Sequence, residues 1–112
     1  MIYNTQTVLQ KAQRVQIPQP VMSVLENQIW FNKYAATLLK APCKVSFSDE
    51  NGFTLTYDNE LGFNLVPAMT GFAINSRTMI RKIQHIFNVE RPKFLIKATI
   101  IPTIFELKLI TK

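Results

Sequence analysis

Apolar and polar residues alternate one by one through "CKVSFSDENGFTLTYD", residues 43–58. Cys43, Val45 and Phe47 fall on one side, with Lys44, Ser46 and Ser48 on the other. Beyond "DENG", Phe53, Leu55 and Tyr57 alternate with Thr54, Thr56 and Asp58. A period of two on both sides of an Asn-Gly turn predicts a β-hairpin with one buried and one wet face. The pattern returns in "KFLIKATIIPTIFELKLITK", residues 93–112. There Phe94, Ile96, Ala98 and Ile100 alternate with Leu95, Lys97 and Thr99, and Phe105, Leu107 and Leu109 alternate with Glu106 and Lys108. This predicts a second hairpin about Pro102 and Thr103.

The period changes in "NSRTMIRKIQHIF", residues 75–87. Met79, Ile80, Ile83, Ile86 and Phe87 recur at helical spacing and make one apolar stripe. Asn75 or Ser76 can cap the helix, and Pro92 is expected to end it. A shorter amphipathic helix is predicted over 5–16, opened by Thr5, with Val8, Leu9, Ala12 and Val15 on one face. "IPQP" at 17–20 stops it. Short strands are predicted over 21–27, 28–32 and 37–40, while Pro67 and Gly71 leave 63–74 without a clear period.

These elements predict an α+β protein, a small antiparallel sheet packed on one main helix. An N-terminal helical extension (1–16) precedes an α+β domain (17–93), and a C-terminal hairpin (94–112) follows. The length of 112 residues suits one ordinary domain, and a 47% hydrophobic composition is that of a globular chain. No apolar run is long enough to span a bilayer.

Charge sharpens the picture. Thirteen Lys and Arg oppose seven Asp and Glu, for a net charge of +6. Such a balance favours anionic partners, nucleic acid or an anionic lipid surface. No acid occurs between Glu60 and Glu90, so the basic side of the 75–87 helix lacks compensation within its own segment. Arg77, Arg81 and His85 are four apart and form a row. With Lys82, and with Arg91, Lys93 and Lys97 beyond the helix, they are the candidate phosphate contacts. Lys11, Arg14, Lys40 and Lys44 are further candidates.

Catalytic and metal chemistry find little to work with. A single cysteine, Cys43, and a single histidine, His85, exclude an internal disulfide and the common Cys- or His-rich zinc sites. The three glycines are isolated, so no phosphate-cradling loop is present. Asp49 and Glu50 are adjacent on a turn, which suits solvation better than acid–base work. No cofactor, metal or small-molecule substrate is expected, and the chain is read as a non-enzyme.

The order of elements also resembles a family. "VQIPQPVMSVLENQIWFNKYAATLLKAP" is similar to the N-terminus of the bacterial-type sixth protein of the large ribosomal subunit. Ile17-Pro18 match its opening pair, Val21 to Leu25 and Ile29 to Phe31 its first strands, and Leu38 and Leu39 its short third strand. Residues 43–58 match its hairpin. "NSRTMIRKI" is similar to its helix opening, with Arg77 and Thr78 at an Arg-Ser pair, and residues 93–112 to the entry of its second domain. Lys33-Tyr34-Ala35-Ala36 departs from the family's Gly- and Lys-bearing turn, and most of a second domain is absent.

The resemblance implies a structural component of the large ribosomal subunit. Its partners are then ribosomal RNA and neighbouring ribosomal proteins, with a separate chain completing the sheet begun by 94–112. The divergence of the resemblance makes a mitochondrial ribosome the expected home and the cytoplasm the alternative; Glu26 is the first acid, with Lys11 and Arg14 before it, only a faint likeness to a transit peptide. The competing reading is a phage or plasmid accessory protein that works through protein–protein contacts.

Overall fold

The computed structural model describes residues 19–110. The elements follow as β1 (Val21–Val24), β2 (Ile29–Phe31), α1 (Lys33–Leu39), β3 (Lys44–Ser48) and β4 (Thr54–Tyr57), then β5 (Phe63–Asn64), β6 (Val66–Ala68) and β7 (Gly71–Ile74). Then come α2 (Arg77–Phe87), β8 (Lys93–Ala98) and β9 (Ile104–Leu109). The helix predicted over 5–16, with Lys11 and Arg14, lies outside the described residues.

The nine strands form one antiparallel sheet in the order β5-β3-β4-β9-β8-β1-β2-β7-β6. The two edge strands are neighbours in sequence, separated only by Leu65. Val45 faces Phe63 on one side of this stretch, and Val66 faces Ala73 on the other. Leu65 keeps the ladder going by donating its N–H to the Cys43 carbonyl at 3.0 Å. Residues 63–68 are thus one bent strand whose first half pairs with β3 and whose second half pairs with β7. The sheet curls into a nearly closed barrel with eight places, because β5 and β6 share one. A ring of that size has an interior that side chains can fill.

This corrects the expected fold, a small sheet on one main helix. Alternation shows which face of a strand is buried but not how far a sheet curls. The curl comes from strand twist and from which distant segments pair. The hairpin β8–β9 is not the open start of another sheet. β8 pairs with β1 on its outer side, and β9 with β4. Both edges are taken within the chain, which removes the reason for expecting a partner strand there.

The inward faces follow the alternation. Met22, Val24, Ile29, Phe31, Val45, Leu55, Leu65, Phe94, Ile96, Phe105 and Leu107 are buried. The antiparallel register divides the turns between two ends. The upper end carries the turns at 25–28 and 49–53 and the loop 88–92. The lower end carries the turns at 58–62, 69–70 and 99–103, together with the chain's entry at Gln19.

A helix sits at each end. At the lower end α1 buries Ala35 and Leu39, and the Leu39 carbonyl accepts a hydrogen bond from the Tyr57 hydroxyl at 2.7 Å. Segment 37–40, expected as a strand, instead holds the end of α1 and its left-handed cap, Lys40. Asn32 decides this, because its Oδ1 accepts from the Ala35 N–H at 2.8 Å and caps the helix, and Ala35 and Ala36 propagate it well. The Asn32 side chain also accepts from Val21 N–H and donates to the Gln19 carbonyl, so it ties α1 to the start of β1. Asn32→Ala is expected to cost about 1–2 kcal/mol, read as a lower urea midpoint with an unchanged slope. A change below about 0.5 kcal/mol would mean that the cap is not needed for α1.

At the upper end Ser76 caps α2, its hydroxyl accepting from the Met79 N–H. The helix stops at Phe87, before Pro92, because Asn88 takes the left-handed conformation at φ 53°. Of the predicted stripe, Ile80 and Ile83 are buried, Met79 and Phe87 are half-buried, and Ile86 is 37% exposed. Phe87 meets Phe53 and Phe94 edge-on, with ring centroids 5.1 and 5.0 Å away. This aromatic cluster seats α2 on the barrel.

A candidate polyanion interface

Residues before and along β8 alternate between solvent and core. Arg91, Lys93 and Lys97 are exposed, while Pro92, Phe94 and Ile96 are buried. Lys93 and Lys97 therefore share one face of β8, where successive same-face residues stand about 6.6 Å apart, and Arg91 precedes them in the bend before the strand. Lys108 joins them from β9, since Leu95 pairs with Lys108 and Lys97 with Glu106. The outer wall of the barrel thus carries a short basic track running from the upper end toward the lower one.

The upper end of that track opens into a cleft between α2 and the β1–β2 turn. Arg77, Arg81 and Arg91 line it, together with Glu26, Asn27, Gln84 and Glu90. Helical spacing brings Arg77 and Arg81 onto one side of α2, and the loop 88–92 swings Arg91 to meet them. Gln84 Nε2 donates to the Glu90 carbonyl at 2.6 Å and pins that loop to the helix. Arg77 reaches Asn27 Oδ1 at 3.5 Å, and Arg91 stands 3.9 Å from Glu26. That ion pair joins two exposed side chains, so water screens most of its attraction.

The lack of nearby acids along 61–89 is thus partly made good in space. Glu26 comes from the β1–β2 turn, some fifty residues away in sequence, and Glu90 from the loop after α2. The remaining candidates scatter. Lys82 faces the other side of α2, beside Phe47, Asp49 and Met79. His85 is exposed on α2. Lys40 ends α1 at the lower end and Lys44 starts β3 there, so neither joins the cleft. Lys108 was not among the candidates, although its place in the alternation of 104–109 put it on the wet face.

Among the described residues no group of three or more His, Cys, Asp and Glu could hold a metal ion. Burial pushes the Cys43 thiol above its ordinary range, away from a reactive thiolate. Burial, and then the nearby Cys43, raise the Tyr57 hydroxyl. Asp58 is held below the usual carboxylate range by the Leu61 N–H and then by the Ser46 hydroxyl, which suits a turn-forming carboxylate. Trp30 is half-buried on the outer face and donates its indole N–H to the Ala68 carbonyl at 3.3 Å. It reaches across β7 to brace β6. No helix among the described residues is long and apolar enough to cross a membrane.

No protein-family model, curated protein or solved structure matches this chain.

Proposed function

We propose that this protein is a non-enzymatic RNA-binding component of a ribonucleoprotein, gripping phosphates with the upper-end arginines and the lysine track of β8 and β9. The observation that supports this reading is the merging of two sets of cations. Arg77 and Arg81 on α2 line one cleft with Arg91, which lies just before the exposed face of β8 that carries Lys93 and Lys97, with Lys108 alongside. These six cations face three acids, Glu26, Glu90 and Glu106. Phosphate contacts of this kind position a protein on RNA without reading its sequence.

The test is the salt dependence of binding to a mixed-sequence single-stranded RNA, followed by fluorescence anisotropy. The wild-type chain should lose affinity steeply as salt rises. Replacing Arg77, Arg81 and Arg91 by Ala should flatten the log–log slope by about 2, from three contacts at about 0.7 each. Lys33→Ala with Lys40→Ala, at the opposite end, should leave the slope unchanged. A slope that ignores the three arginines, or a wild-type chain with no salt-sensitive affinity, would sink the proposal.

A further inference from the structure

The lower end of the barrel presents a different chemistry. Ile100 and Ile101 form the tip of the β8–β9 turn, and Met69 forms the tip of the β6–β7 turn. Ile100 is fully exposed, Met69 is 93% exposed and Ile101 is 50% exposed. The ring order places β1 and β2 between the two hairpins, so these tips stand on separate arcs of the same rim. Between them lies α1, whose outward side carries Lys33, Tyr34, Thr37 and Lys40. Lys33 Nζ stands 5.1 Å from the centre of the Tyr34 ring. No acid occurs from residue 27 to residue 48. The acids of this end are Asp58 and Glu60, in the turn after β4 that also leaves Leu61 87% exposed, and they offset part of the charge of Lys33, Lys40 and Lys44.

We infer that this end rests on an anionic phospholipid surface. Bulky aliphatic side chains at turn tips are costly in water and make no core contact, which marks an interaction surface. Here they project from two separate turns, Ile100 and Ile101 from one and Met69 from the other. A fluid acyl layer accepts such projections one by one, whereas a protein partner must match them with shaped pockets. The lysines are placed to meet lipid phosphates when the tips enter, and a tyrosine beside them suits the headgroup level. The surface lies opposite the arginine cleft, so lipid and RNA can be held together.

The experiment is co-sedimentation of the full chain with vesicles of phosphatidylcholine alone, and with a quarter of the lipid replaced by phosphatidylserine. Binding to the anionic vesicles and little to the neutral ones is expected. A variant with Met69→Asn, Ile100→Ser and Ile101→Ser should bind at least tenfold more weakly, with an unchanged thermal midpoint, because all three positions are exposed and Asn tolerates the left-handed backbone of Met69. Removing Lys33 or Lys40 should cost about fivefold each on anionic vesicles. No binding to either vesicle overturns the inference. So does anionic binding that survives the tip variant and disappears with the three upper-end arginines. Self-association abolished by the tip variant, without vesicle binding, would assign this end to a second copy and overturn it too.

Discussion

Phe94→Ala is expected to cost about 3–5 kcal/mol, read from chemical denaturation. Phe94 is fully buried on β8, with the ring of Phe53 5.4 Å away and that of Phe87 5.0 Å away. It is the point where the barrel wall, the β3–β4 turn and α2 meet. Truncation removes a large apolar side chain and leaves a cavity between elements that cannot all close on it. A domain of this size is stable by about 5–15 kcal/mol, so the variant should be close to unfolding. The arginine cleft should suffer as well, because Arg77 and Arg81 ride on the helix that Phe94 helps to seat. A loss below about 1 kcal/mol would show that α2 is not packed on the barrel as described.

Gly71→Ala should cost about 2–3 kcal/mol for a different reason. A Cβ at Gly71 runs into the carbonyl oxygen of Phe31, with the Phe31 carbonyl carbon 3.1 Å away. These are backbone atoms of the neighbouring strand, so no side-chain rotation relieves the clash. β7 must move off β2, and β6 moves with it, because Ala68 pairs with Gly71. The damage should be local to the closing seam. Hydrogen exchange should quicken in 66–74 before it quickens in β8 and β9. Uniform quickening across the sheet, or a midpoint within error of the wild type, would contradict a tight approach of β7 to β2.

Both substitutions act at places that the sequence reveals unequally. Phe94 stands out in the alternation of 93–100 as a buried position. Gly71 does not, because its role depends on how closely a strand forty residues earlier passes by. The hairpins over 43–58 and 93–110, and the helix over 75–87, follow from period alone. Segment 63–74 has no clean period, since its first half pairs with β3, its second half pairs with β7, and Pro67 lies between. Helix α1 was hidden behind Leu38 and Leu39, whose burial suits a strand as well as a short helix. The Asn32 cap was the one local sign of it.

The candidate interface divides in the same way. Lys93, Lys97 and Lys108 share a face because a strand alternates, and Arg77 and Arg81 because a helix turns every 3.6 residues. Those are local rules, and the amino-acid order alone carries them. The meeting of Arg91 with the helix arginines, the presence of Glu26 among them and the separation of a basic end from an apolar-tipped end are not local. They depend on which strands pair and in what register, and so on contacts between residues far apart in the chain. The sequence by itself determined which side of each element is wet and which is dry. Only the tertiary structure decided that the sheet closes on itself, because closure requires 63–68 to satisfy two distant strands at once.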